Sequence, residues 1–464
     1  MDKKARFTIL TICVVLFLVI TPYLVMYSMG YRINFETLKI TETGGIYVKS
    51  YPQADEITID SKITEKPGLF SNYVFVQDLI PKDHTVLVKK TGYFDYAKNL
   101  EVEEKEVTKI ENIILFKTDT VFGKLLSDVM SFSISPDKKN VLVEGTNTKS
   151  LDFYYFPISS PNTPKQYTLP LKYTSVLNIE WSDDSNKALI KTQNSTGVID
   201  FYLLDFTAKI QLTVPLSYLD SKSTEISFNP QDSSQIFYIE KNNLYSVKNN
   251  KSSLIIKGLS TYKITDNNIL WISTEGLMTR SDTSGKLVDE LITKESPLPT
   301  DKAYTIETIS GKIFLTSNNS LYLYDFTTKT LESFKNKISD YKLLQSPDGK
   351  NMVYYNGSDI YLYAFERSEY NKTGENNIKL FSANSGETIS NCFWLNNDYI
   401  IFESGNRIII SEIDYRGNIN AVEIPKNYEA SADSKSPSVF FNSQDSKLYL
   451  LSGNVLYSTE KLLP

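Results

Sequence analysis

The chain has 464 residues and a formal net charge of −6, from 49 basic and 55 acidic side chains interspersed along it. That length leaves room for a large core and more than one domain, and the absence of any basic patch excludes a nucleic-acid footprint. Two cysteines, Cys13 in an apolar run and Cys392 in a distant strand-like segment, cannot frame a disulfide scaffold or a thiolate metal centre.

The first predicted element is an apolar run from Phe7 to Met29 without a charged side chain. At ~1.5 Å per helical residue it is long enough to cross a hydrocarbon core of ~30 Å. Lys3, Lys4 and Arg6 precede it, which predicts a cytoplasmic N-terminus with the bulk of the chain outside. Tyr23, Met26, Tyr27 and Met29 occupy its exit instead of the small residues of a cleavage site, so an uncleaved anchor over residues 1–30 is expected rather than a signal peptide.

Residues 43–116 change character. Gly44-Gly45 opens the strand Ile46-Tyr47-Val48-Lys49-Ser50, Glu56-Ile57-Thr58-Ile59-Asp60 follows, and Leu79-Ile80-Pro81-Lys82-Asp83 leads into His84-Thr85-Val86-Leu87-Val88-Lys89-Lys90. Short alternating strands with Gly and Pro at the joints predict a compact all-β module. Ser50, Pro52, Ile57, Ile59, Asp60, Pro67, Leu79, Pro81, His84, Val86, Val88, Gly92 and Tyr93 keep the order and spacing of the PEGA domain pattern, which this segment resembles. It departs from that pattern at Gln53, Asp55, Ser61 and Asp83. The resemblance implies a small β-sandwich of the kind found in bacterial and archaeal envelope proteins, and no catalysis. His84 is the only histidine; alone it lacks the co-ligands of a metal site, and a structural role at a turn or sheet edge is expected.

From residue 120 onward a strand–turn–strand unit recurs, centred on residues 132–137, 179–184, 226–231, 262–267, 306–311, 343–348, 392–397 and 439–444, at spacings of 36 to 49 residues. Such spacing fits four-stranded propeller blades, and each blade buries its apolar faces only by stacking on its neighbours. Residues 120–464 are therefore expected to form a β-propeller, with eight blades favoured over seven. The strand-like residues 120–126 stand apart from the repeats and are expected to complete the last blade as its outer strand. The turn Ser346-Pro347-Asp348-Gly349-Lys350 resembles the WD-like propeller repeats of Tol-family periplasmic proteins.

Chemical signatures are sparse. Gly-x-Ser-x-Gly, His-Glu-x-x-His, phosphate-loop and EF-hand patterns are absent. Ser135 to Lys138 and Ser458 to Lys461 match Ser-x-x-Lys, which arises easily in a Ser- and Lys-rich chain, and Ser135 and the carboxylate pair Asp183-Asp184 lie in repeat turns that account for them. No catalytic, cofactor or metal residue is assigned, and the ligand site is expected among the loops and channel mouth of the propeller. The expected function is a membrane-anchored extracytoplasmic scaffold of the cell envelope that binds a protein or an envelope polysaccharide. The alternatives are a carboxylate-dependent hydrolase or lyase in the channel, and a structural envelope component without a ligand. Converging acidic or aromatic groups in the channel mouth would separate the first two from the third.

Overall fold

The computed structural model describes all residues except 1–2, 35–38, 147–149, 162–163, 170–174, 210–213, 266, 318–319, 335–340, 369, 372–373, 375, 429–437 and 464. Asp266, in the fourth predicted repeat turn, and the terminal Pro464 thus lie outside the described residues. The chain is mainly β, with one helix at its N-terminus.

The apolar run forms the helix Lys3–Ser28, whose segment Arg6–Ser28 is long and apolar enough to cross a membrane. A short hairpin, Tyr31–Asn34 with Lys39–Glu42, leads out of it. The junction is tied: Arg32 donates to the Tyr27 carbonyl at 2.7 Å and pairs with Asp78 at 2.9 Å, while the Thr43 amide donates to the Gly30 carbonyl at 2.8 Å.

Residues 44–114 form two facing sheets. In one, Gly44–Tyr51 lies between Tyr73–Leu79, antiparallel to it, and Val107–Ile114, parallel to it. In the other the order is Ile63–Glu65, Glu56–Ile59, Asp83–Lys89, Tyr96–Glu101. Alternation puts Ile46 and Val48 from the first sheet against Ile57, Ile59, Val86 and Val88 from the second, all buried. Each such side chain contributes about 1.5–3 kcal/mol when removed from water.

Among the described residues, the remaining strands form eight antiparallel sheets in chain order. Their first strands are Val129–Ile134, Ser175–Trp181, Thr224–Asn229, Leu259–Thr265, Thr305–Ile309, Lys342–Gln345, Ile389–Trp394 and Ser438–Asn442. First strands of neighbouring sheets touch: Leu259–Thr265 meets Thr224–Asn229 on one side and Thr305–Ile309 on the other. They therefore converge on a common axis, while the later strands of each sheet step outward. The second sheet has three strands among the described residues, and the others have four. In the eighth, Phe122–Ser127 pairs with Val455–Thr459 and supplies the outer strand from the other end of the propeller segment.

The turn after the first strand is built the same way in three sheets. Ser135, Ser182 and Ser346 are buried, and their hydroxyls accept the amides of Asn140, Lys187 and Asn351 at 3.0, 2.9 and 2.9 Å. Each hydroxyl also donates to the aspartate two residues on, Asp137, Asp184 or Asp348. The next residue is left-handed, with φ of 59° at Lys138, 61° at Ser185 and 71° at Gly349. These turns also bond across sheet boundaries. The Asp137 amide donates to Ser185 Oγ at 2.9 Å, Ser233 Oγ to Asp184 at 2.7 Å, and Ser310 Oγ to the Gly349 carbonyl at 2.6 Å. Lys138 Nζ reaches Ser443 Oγ at 2.7 Å and links the first sheet to the eighth. The Ser-x-x-Lys string at Ser135 is thus a turn lock.

Candidate functional site: an acidic pocket at the propeller axis

Glu180, Glu225, Lys263 and Glu307 come from four consecutive first strands, in the second to fifth sheets, and line one open pocket of about 410 Å³ together with Asp183 and Tyr262. The strands place them there because the first strand is the innermost of each blade and borders the central channel. Apolar residues such as Ile264 and Ile306 are buried and form the pocket's floor, and the charged residues beside them line the same space.

The cluster is internally bonded. Lys263 Nζ pairs with Glu307 at 3.0 Å. Glu225 sits at a bulge with φ of 45°, which turns its side chain toward the next sheet. There it accepts Thr261 Oγ1 at 2.9 Å and the Tyr262 amide at 3.3 Å. Burial pushes the carboxyls of Glu180 and Glu225 above their ordinary range. For Glu180 the Asn178 side chain and the charge of Lys263 oppose that rise, and for Glu225 the Thr261 and Tyr262 donors do. Burial likewise holds the Tyr262 phenol up. One ammonium thus serves three glutamates and Asp183, so the pocket carries an excess of negative charge in partly desolvated surroundings.

The aromatic rings here are already committed. Trp181 Nε1 donates to Ser133 Oγ at 2.8 Å in the first sheet, and Tyr262 is buried with its hydroxyl on the Glu225 backbone carbonyl. Neither offers an open stacking platform. What the pocket offers a ligand is carboxylate oxygen.

The residues marked from sequence fall elsewhere, apart from Asp183. Asp184 is consumed by its turn: bonds from Ser182, Ser233 and Asn186 outweigh partial burial and hold its carboxyl down to about 2. His84 is buried, with Nδ1 2.7 Å from Asp60 and Nε2 2.7 Å from the Ile80 carbonyl, and clamps two turns of the small sandwich. Cys392 is buried among Ile389, Trp394 and Phe402, and burial pushes its thiol far up. Ser458 is buried within Val455–Thr459. Glu180, Lys263 and Glu307 escaped notice because each looks like an ordinary solvated position of a half-buried strand. The usable signal is that all three follow an apolar residue on the first strand of a repeat, the strand that borders the axis.

A second polar assembly joins the small sandwich to the propeller. Lys98, on Tyr96–Glu101, is fully buried and donates to Glu412 Oε1, the Asp414 carbonyl and the Asn418 carbonyl at 2.6, 2.7 and 2.8 Å. Tyr96 gives its hydroxyl to Glu412 Oε2 at 2.8 Å, and Asn418 and Asn420 bond the backbone of residues 97 and 99. Beside them Phe116 packs edge-on against Tyr399, and Phe94 and Ile114 join the same apolar cluster of the propeller.

No protein-family model matches the chain, and no curated protein matches it. Its likenesses among solved structures are β-propellers. The Cps50 (Swd1) β-propeller domain of Myceliophteria thermophila is 8% identical, with 74% of this chain and 98% of that one covered and a TM-score of 0.41. Saccharomyces cerevisiae Sqt1 is 11% identical over 74% and 98%, TM-score 0.45. BamB from Moraxella catarrhalis is 12% identical over 73% and 98%, TM-score 0.42. The class of this protein is a β-propeller carrying a small β-sandwich and an N-terminal apolar helix, and its own sheet order establishes that class.

Proposed function

We propose that this chain is a membrane-anchored, extracytoplasmic scaffold of the cell envelope whose propeller binds a basic segment of a protein partner in the acidic axial pocket. In this reading residues 1–30 form a cytoplasmic stub and anchor, residues 43–116 a PEGA-like module, and residues 120–464 an eight-bladed propeller. The observation that carries it is the imbalance of Glu180, Glu225, Glu307 and Asp183 against Lys263 alone. A lysine or arginine entering the pocket would meet carboxylates already partly stripped of water, where charge-assisted bonds are strongest. A protein is favoured over a polysaccharide because Tyr262 is buried and Trp181 packs on Phe206, while the surplus of carboxylates suits a cationic side chain. The role is binding rather than catalysis. The sandwich acts as a fixed base for the propeller, since Lys98 and its partners join the two.

The test is photo-cross-linking from Ser227, which lines the pocket, in the full chain in its native membrane. The expected result is one protein adduct, linked through a basic stretch and lost in Glu307→Lys. Adducts consisting only of glycan, or an adduct yield insensitive to Glu307→Lys, would sink the reading.

A further inference from the structure

The outer strands of the propeller's four-stranded sheets each carry a charge: Lys124, Lys165, Lys251, Asp289, Glu332, Lys379 and Glu423 lie one or more to a strand. Charges on an edge are how sheets avoid pairing with foreign strands. Of the small sandwich's edge strands, Ile63–Glu65 carries Glu65, and Tyr96–Glu101 is covered by the propeller through Asn418 and Asn420. Val107–Ile114, the far edge of the three-stranded sheet, carries Lys109 and Glu111 and is covered by the propeller through Arg416, Asp398 and Tyr399.

Tyr73–Leu79 differs in where its charge lies: its one charged side chain, Asp78, stands next to its end and is paired with Arg32 at 2.9 Å. The strand is the other edge of that sheet, it pairs on one side only among the described residues, and residues 73–77 read Tyr-Val-Phe-Val-Gln, with no charge before Asp78. Val74 and Val76 point into the core, while Tyr73 and Phe75 are 45% and 42% exposed. Tyr47, on the neighbouring strand, stacks on Tyr73 at 5.1 Å between ring centroids. The preceding turn leaves Leu69 and Phe70 wholly in solvent. High β-propensity, a run of five residues (73–77) without charge and a bare backbone edge make this strand a pairing template.

We propose that this edge pairs with the same strand of a second copy of the chain, antiparallel about Phe75, to form one continuous six-stranded sheet. The strand is complementary to itself in that register. Phe75 faces its counterpart, Val74 faces Val76, Tyr73 faces Gln77, and Asp78 falls against Asn72, so no like charges oppose each other. The exposed rings of both copies then merge into one aromatic ridge with the two Tyr47 rings. A foreign peptide would need an uncharged strand of matching pattern, whereas a second copy supplies it by construction. The proposal rests on the membrane-anchored reading in one respect, that tethering two copies in one membrane raises their effective concentration.

The experiment uses the full chain in detergent micelles, with Cys13→Ser so that the buried Cys392 is the sole native thiol. Phe75→Cys, oxidised with copper phenanthroline, is expected to give a disulfide-linked dimer, whereas Leu254→Cys on the charged edge Lys251–Lys257 is expected to give none. Light scattering is expected to show a dimer for the native edge. Phe75→Lys should weaken association about tenfold, equivalent to ~1.4 kcal/mol for like charges set face to face, with an unchanged melting temperature. A monomeric native chain, equal cross-linking at Leu254→Cys, or capture of a different protein at residue 75 in native membranes would overturn the proposal. None of these results bears on the axial pocket, which is read separately from Ser227.

Discussion

Lys98 Nζ lies 2.6 Å from Glu412 Oε1, across 314 residues of sequence and out of contact with water. The ammonium spends its three donors on Glu412 and on the carbonyls of Asp414 and Asn418, and the carboxylate takes Tyr96 on its other oxygen. A buried pair satisfied this completely fixes orientation more than it adds stability, because desolvation offsets most of the attraction. The helix-proximal sandwich and the propeller are therefore held in one relative pose.

Lys98→Met should cost about 3–5 kcal/mol, since Glu412 is then left charged and buried without its cation. The double variant Lys98→Met with Glu412→Leu should recover most of that loss, because no uncompensated charge remains. Urea denaturation of the three proteins checks the relation. A double variant as unstable as the single one would show that packing, and not the ion pair, governs this seam.

Removing residues 120–127 uncovers the edge of Val455–Thr459, whose Leu456 and Tyr457 are buried. It also breaks the only strand pairing that joins the two ends of the propeller segment among the described residues. The melting temperature should fall by about 10 °C or more, the equivalent of several kcal/mol in a domain of this size. An unchanged melt would mean that the ring holds without this strand.

The strand repeats, the serine–proline–aspartate turns and the outer position of the strand near residue 122 were legible in the sequence, because each depends on local patterning or on completing a repeat. The axial pocket was not. Glu180, Glu225, Lys263 and Glu307 are separated by whole blades and meet only because first strands converge. Lys98 was equally hidden, since a lysine in an alternating strand reads as a solvated position until a loop more than 300 residues away closes over it. The Tyr73–Leu79 strand is not singled out by sequence pattern, and the uncharged run at residues 73–77 gains meaning only beside the charged edges around it. His84 was readable in kind, though its partners Asp60 and Ile80 required coordinates.

His84→Ala should destabilise the sandwich by about 1–3 kcal/mol, because it leaves the Asp60 carboxylate and the Ile80 carbonyl short of donors. Although partial burial pushes Asp60 up, the Thr85 amide and the His84 ring hold its carboxyl below the ordinary range. A depressed carboxyl contributes stability that is present above its unfolded value and is lost as pH falls through its folded one. Hydrogen exchange at the Thr85 amide, which donates to Asp60 at 3.0 Å, should accelerate in the variant at neutral pH while cross-linking from Ser227 is unchanged. Loss of that cross-linking with Thr85 still protected would mean that His84 serves the ligand.

Glu403 gives the clearest pH signature. It is fully buried near the end of Tyr399–Ser404. One oxygen accepts Ser390 Oγ at 3.0 Å and Asn391 Nδ2 at 2.7 Å, and the other has no partner. Burial pushes its carboxyl up to about 7, against the pull of those two donors. The folded state thus binds this proton more tightly than the unfolded chain does. Its contribution is complete below the ordinary glutamate value, declines as pH rises toward 7, and is level above that. The span corresponds to roughly 3 kcal/mol. Glu403→Gln mimics the protonated acid, so it should match the native protein near pH 4.5 and exceed it in stability at pH 8. Asp398, raised by burial to about 6, slopes the same way but is common to both proteins and cancels in the difference. Urea unfolding at pH 4.5, 6 and 8 reads the effect directly. Parallel profiles for the two proteins would mean that Glu403 stays ionised in the fold, with its bare oxygen satisfied by water.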